Sequence, residues 1–302
     1  MQLRAPSGFI RRLRDPKVRA AYLFVLPPIV IVTIFAVLPS IASISLSFFS
    51  YDIVNLPKFI GLRNWSRLFT DEIFIASLIN TAYFMAGHVP LIVVAGLTAA
   101  LILNEKWFPG KTAMRAMYFL PVVVSMVAVA FVWNWLLNPS FGIANAVLEW
   151  FGIPRQKWLG DPVLAMPTVI IVSVWKNLGF YLVVFLAGLQ GISPTYYEAA
   201  RIDGANKWQE VWHITLPLLK HTMAFATIIG VIGSFQVFEQ IYVMTQGGPM
   251  DRTRVVVYHL WWTGFQRLRM GYASAMAVVV FVIVMSITLI QLKFYSRRSA
   301  EF

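Results

Sequence analysis

Charges are spaced so widely along this chain that most of it can fold only as membrane-spanning helix. Between Arg19 and Asp52 lie 32 uncharged residues, between Glu72 and Glu105 another 32, between Arg115 and Glu149 33, and between Arg269 and Lys293 23. A hydrocarbon core of about 30 Å, at 1.5 Å of rise per residue, asks for about 20 apolar residues per crossing. Four spans follow directly. Leu164–Leu189 and Leu218–Met244 are also long enough, although the first contains Lys176 and the second Glu239. The expected fold is therefore all-α and polytopic, with six transmembrane helices at about 22–49, 77–103, 114–137, 164–189, 218–244 and 271–293.

Composition excludes the alternatives. Only 13% of the 302 residues are charged and 59% are hydrophobic, against about 25% charged in soluble domains. A soluble core could not hide that much apolar surface, and disorder needs the opposite balance. The chain has no cysteine, which removes disulfide scaffolds, Cys-ligated zinc and Fe–S centres. The net charge of +12 reads as charge bias around spans rather than a nucleic-acid surface. The first apolar stretch is too long for a cleaved signal peptide, whose core is about 7–15 residues. With both termini cytoplasmic, fifteen of the 25 lysines and arginines fall inside and nine outside, the direction of the positive-inside rule. The organisation expected is a basic arm at 1–21, one membrane domain at 22–295 and a tail at 296–302. Trp65, Trp107, Trp133, Trp135, Trp158 and Trp261 fall near span ends, as interfacial anchors do. Asn80, His88 and Asn134 suit hydrogen bonds between helices.

Catalytic signatures are missing. Gly110-Lys111-Thr112 imitates the end of a phosphate-binding loop, but Glu105 stands where the first glycine is required and would repel a phosphate. His88, His213, His221 and His259 show no metal-ligand spacing. No metal or cofactor is expected on this chain.

One segment between the fourth and fifth spans is too patterned for a connector. It reads SPTYYEAARIDGANKWQEVWHITLP from Ser193 to Pro217. Ser193 then Pro194 is a helix start, and Thr195–Ile202 reads as a short helix. Gly204 sits where a helix ends, since glycine takes positive φ without a Cβ clash. A second short helix is expected from about Asn206 to His213. Tyr196, Tyr197, Ala200, Trp208 and Trp212 give this knob apolar faces for docking in a groove.

Glu198-Ala199-Ala200, then Gly204, Ile214 and Leu216-Pro217 at their spacings, resemble the EAA loop of membrane subunits of ABC-type importers. The fuller strings Tyr197–Ala205 and Ile214–Leu219, with Trp175-Lys176, Gly188-Leu189-Gln190 and Thr245–Pro249, are similar to the carbohydrate branch. That branch includes maltose-type and glycerol-3-phosphate-type permeases, and the Gly-Gly-Pro string resembles the first of two permease subunits.

The resemblance implies a plasma-membrane permease of a bacterium or archaeon. It implies a second permease chain, two ATP-binding subunits that carry ATP and magnesium, and an extracytoplasmic solute-binding protein. The loop at 193–217 would be the coupling element, with Glu198, Ala199, Ala200, Asp203, Gly204, Ile214, Leu216 and Pro217 at its motif positions. It also implies a solute path at Ser173, Trp175, Lys176, Asn177 and Phe180 on the fourth span. On the fifth the matching positions are Gly230, Ser234, Val237 and Phe238. Mid-membrane charges are costly and usually face a cavity or a partner. Lys176 therefore either faces the solute, favouring an anionic one such as a glycerol phosphate, or pairs with Glu239. A secondary transporter would usually carry internally repeated halves, and none is found.

Overall fold

The computed structural model describes residues 16–105 and 110–297. The expected basic arm up to residue 15, with Lys106, Trp107 and the tail from residue 298, lies outside the described residues. Helix α1 (Pro16–Val32), a π turn (Thr33–Val37) and α2 (Leu38–Leu46) form one long apolar element. Pro39 has no N–H to offer the turn before it, and a π turn is a common way for a helix to absorb such a gap. A two-residue hairpin follows, β1 (Phe49–Ser50) antiparallel to β2 (Lys58–Phe59), and then α3 (Arg63–Leu68).

Helix α4 (Glu72–Asn104) starts at Asp71, whose side chain accepts from the N–H groups of Ile73 and Phe74 at 3.1 Å each. Those bonds satisfy two of the four orphan donors of a helix start. The third span expected at 114–137 departs from expectation. It divides into α5 (Lys111–Val123) and α6 (Met126–Leu136), bent by 99°. Thirteen and eleven residues rise about 20 and 17 Å, so neither arm alone crosses the hydrocarbon. Pro121 weakens the ladder near the bend, and Val124 and Ser125 are extended, with ψ of 140° and 136°.

After α7 (Ile143–Trp150) comes α8 (Ala165–Gln190), unbroken as expected. Then follow α9 (Pro194–Ile202), α10 (Lys207–Glu210), a π turn (Val211–Thr215), α11 (Leu216–Leu218) and α12 (Lys220–Phe235). The fifth span expected at 218–244 also departs from expectation, because the helix stops at Phe235 and restarts as α13 (Glu239–Met244). The chain closes with α14 (Val256–Trp261), a π turn (Trp262–Gln266) and α15 (Met270–Arg297). Among the described residues four helices are long and apolar enough to cross a membrane, and up to six spans result if each bent pair counts as one.

The centre is the pair α4 and α8, against which α5 and α12 pack. Phe84, Ile92, Leu182 and Phe185 are fully buried there. Small residues let these backbones close up, as membrane helices require. A Cβ on Gly96 would lie 2.7 Å from Tyr181 Cβ, and one on Gly179 would overlap the backbone of Tyr118 on α5. Asn134 on α6 donates to the Val243 carbonyl of α13 at 3.0 Å, and Asn80 donates to the carbonyls of Asp251 (2.7 Å) and Arg254 (3.0 Å). Asn134 thus joins two helices as expected, whereas Asn80 ties its helix to the loop before α14. The first element packs on its own chain mainly through α2, against α15, and no residue of α1 or α2 is buried.

Gly179→Leu should therefore force α5 off α8 and destabilise the purified chain by about 2 kcal/mol or more. Gly233→Ala, where a Cβ meets nothing within 4 Å, should leave thermal unfolding in detergent nearly unchanged.

Candidate functional site

The segment from Ser193 to Pro217 folds as two capped helices. The Ser193 hydroxyl accepts from Thr195 N–H, and Pro194 opens α9. At its end Gly204 N–H donates to Arg201 O and Ala205 N–H to Ala200 O, the paired bonds of a Schellman stop. Gly204 has φ of +82° and open space around a hypothetical Cβ, so conformation rather than crowding calls for glycine. Asn206 and Gln209 form a reciprocal capping box at the start of α10. The second helix ends earlier than expected, at Glu210, and runs on as a π turn.

Three charges of this knob pair within the chain around one buried carboxylate, Glu210. The Arg201 guanidinium donates to Glu210 at 2.7 Å, not to Glu198 one turn before it. That hydrogen bond raises the Arg201 pKa further. Lys207 lies 3.9 Å from the same Glu210 and 2.9 Å from Glu105, at the end of α4. Four charges thus tie the two short helices to each other and to the second span. Glu198, Ala199, Asp203 and Pro217 are exposed, while Ala200, Ile214 and Leu216 are half-buried. Tyr196, Ile202, Trp208 and Trp212 point apolar surface outward. Tyr197 turns in, its hydroxyl 3.1 Å from Thr215 Oγ1.

A second feature lies between α4, α8 and the break after α12. Sixteen residues of α12 carry the chain about 24 Å from the knob before the helix stops. A cavity of about 410 Å³ opens there. Ser173, Lys176, Asn177 and Phe180 line one wall, and Gly230, Val237 and Phe238 another. Two expected residues are absent from the lining. Trp175 stands exposed, its ring edge-on to Trp133 at 5.5 Å. Ser234 lies one layer behind, fully buried, bonded to Gly230 O at 2.7 Å and 3.3 Å from His88 Nδ1. Residues outside the expected set, including His88, Tyr181, Gln236, Glu239 and Gln240, complete the wall. Their signal in the sequence was polarity in an apolar run, at His88, Gln236, Glu239 and Gln240.

Lys176 Nζ donates to the Val122 carbonyl at 3.3 Å. No salt bridge joins it to Glu239 among the described residues, although both line the cavity.

The family model described as the binding-protein-dependent transport system inner membrane component matches residues 92–299. The chain belongs to that family. It is a multi-pass membrane protein and an ABC transporter permease. It is 35% identical over 289 residues to the trehalose/maltose transport system permease protein MalF of Thermococcus litoralis, covering 95% of this chain and 97% of that one. It is 33% identical over 284 residues to the lactose transport system permease protein LacF of Rhizobium radiobacter, covering 93% and 94%. A solved structure titled as a bacterial alginate ABC transporter in complex with an alginate pentasaccharide-bound periplasmic protein superposes with a TM-score of 0.86. It shares 28% identity and covers 97% of this chain and 98% of that one.

In this permease the charge network is asymmetric. The Arg201 side chain is 55% exposed and that of Glu210 only 6%. Removing Glu210 leaves a guanidinium in water, whereas removing Arg201 leaves a buried carboxylate with a more distant Lys207. Arg201→Ala should speed amide hydrogen exchange across 194–215 more than Glu210→Gln does. Exchange at the parent rate in the Arg201→Ala variant would show that the pair does not hold the knob together.

Proposed function

We propose that this chain is one of two permease subunits of an ATP-driven importer for a carbohydrate delivered by an extracytoplasmic binding protein. The 193–217 knob carries the reading. Its own charges pair within the chain, while Tyr196, Ile202, Trp208 and Trp212 stay exposed. Docking into a groove of a separate ATPase would cover them. Of the two knob carboxylates without a salt bridge among the described residues, Glu198 and Asp203, Glu198 is the one proposed to meet a basic residue of that partner. Six spans with both termini and the knob on the cytoplasmic side follow from the charge bias. ATP and magnesium belong to the partner, and this chain performs no covalent chemistry.

Closing of two ATPase subunits would displace the knob and, through it, α12, which walls the cavity together with α8. Ser173, Lys176, Asn177, Phe180, Gly230, Val237 and Phe238 are the proposed solute contacts. Ser234 positions its neighbours from behind, and Trp175 is outside the path in this conformation. A second permease chain is supported by α1 and α2, which bury no residue against their own chain. The carbohydrate class is supported by relatives named for trehalose, maltose and lactose.

One observation favours a narrower solute. Lys176 has three donor hydrogens, of which Val122 O takes one, and the others are available to an anion in the cavity. A similar structure is titled as a transporter of the acidic polysaccharide alginate. An acidic sugar, or a glycerol phosphate, would use this ammonium.

The test is reconstitution of the permease pair with its ATPase and binding protein in proteoliposomes. Uptake of an oligosaccharide should require ATP and every partner. Uptake by this chain alone without ATP would mean a secondary carrier. Gly204→Val strains a left-handed position and should lower solute-stimulated ATP hydrolysis about tenfold while the assembly still forms. Lys176→Met should shift uptake from acidic toward neutral oligosaccharides. Unchanged selectivity would remove the acidic-solute reading and leave the importer intact.

A further inference from the structure

At the end of the molecule away from the knob, a pocket of about 740 Å³ lies between the outer ends of the first and last spans. Its frame is fixed by backbone contacts. Asn64 Nδ2 donates to the carbonyls of Ser47 and Phe49 at 2.9 Å each, and Gly271 N–H donates to Tyr51 O at 3.2 Å. A Cβ on Gly271 would collide with the Phe49 carbonyl, so α15 and β1 meet backbone to backbone. Tyr272 at the wall donates to Asp71 at 2.7 Å, which joins α15 to the start of α4.

Three guanidinium groups, Arg63, Arg67 and Arg269, line this frame. None forms a salt bridge among the described residues. Arg67 lies over the Tyr272 ring at 5.0 Å, which orients it without neutralising it. The one carboxylate in the lining is Asp52, and it accepts from the N–H and side-chain amide of Asn55 at 2.8 Å each. A preformed pocket with two uncompensated positive charges attracts an anion, and guanidinium forks suit a phosphate best.

The flanking side chains indicate where that phosphate comes from. Val54, Leu56, Phe59, Leu62 and Phe69 are all more than 60% exposed. Apolar side chains beside basic ones are the signature of a segment lying in the headgroup boundary, where basic pockets between helices hold lipid headgroups. We propose that the pocket of Arg63, Arg67 and Arg269 binds the phosphate of an outer-leaflet phospholipid, with Phe59, Leu62 and Phe69 seated in the acyl boundary. The inference rests on the importer reading only for which leaflet supplies the lipid.

The test is native mass spectrometry of the full chain purified in detergent and titrated with phosphatidylglycerol or with inorganic phosphate. Phosphatidylglycerol occupancy should fall about fivefold for each of R63Q, R67Q and R269Q, and on the order of a hundredfold for all three. The exposed Arg155→Gln, which interrupts a pair with Glu149 elsewhere on this face, should not change it. These arginines are exposed, and the triple lysine variant keeps the charge should the glutamine triple fail to fold. Lysines should retain part of the occupancy, since they lack the bidentate fork. Phe69→Ser should weaken the lipid and not inorganic phosphate. Inorganic phosphate bound as tightly as the lipid would overturn the lipid assignment and leave a free-anion site. Undiminished lipid occupancy in the triple variant would overturn the proposal. So would normal lipid binding with lost capture of the binding protein, which would make the pocket a protein contact. No readout requires transport, so failure here is separable from failure of the importer reading.

Discussion

A carbonyl left without a donor inside hydrocarbon costs several kcal/mol, and the bend after Val123 creates such carbonyls at the end of α5. Lys176 reaches one of them, on Val122, at 3.3 Å. One turn along α8, Gly179 lets the Tyr118 backbone come into direct contact. These two features fasten α5 to α8 and fix which face of α8 remains open. The open face, from Ser173 to Phe180, is the wall of the cavity. An ammonium with three donors can hold this carbonyl and still present charge to the cavity it lines.

The knob follows a comparable logic at the other end of α8. Pairing Glu198 with Arg201, the local choice at i and i+3, would be worth only a few tenths of a kcal/mol. The fold instead turns Arg201 across the Gly204 stop to the buried Glu210, and Lys207 extends the chain of charges to Glu105. Glu198 is left outside this network and exposed, with Ile202 one turn on at i+4. Internal charges give the two helices a fixed angle, and the apolar surface faces outward.

Much of this was legible in the residues. Charge gaps located three of the four long helices, and length alone the fourth, Ala165–Gln190, which carries Lys176, because hydrocarbon thickness leaves little freedom in span length. Ser193, Pro194, Gly204 and Asn206 marked the knob boundaries, because caps and left-handed stops are local chemistry. The two breaks were not legible. At Gln236–Phe238 neither proline nor glycine punctuates the helix, and the stop makes sense only beside a cavity that relieves the freed backbone. At Val124–Ser125 the nearby Pro121 is reason for a kink but not for a 99° bend, and the freed Val122 carbonyl finds its donor on a lysine more than fifty residues away in sequence. Trp175 does not line the cavity in this structure. Its aromatic face suits a sugar, yet its ring packs edge-on against Trp133 of α6.

The breaks also say which wall can move. Helix α8 is continuous from Ala165 to Gln190 and joins the knob through a three-residue turn ending in a capped helix start. Its packing on α4 runs through glycines with no slack, so α8 is the fixed wall. Helix α12 is bent by 69° where it meets the knob, after a π turn, and stops again at Phe235 on the cavity. An element interrupted at both ends takes up displacement by rotating about those ends, as hinges do. On the proposed reading, a push on the knob therefore reaches the solute through α12, and the residues around its far break, Gln236 to Gln240, change position before those on α8.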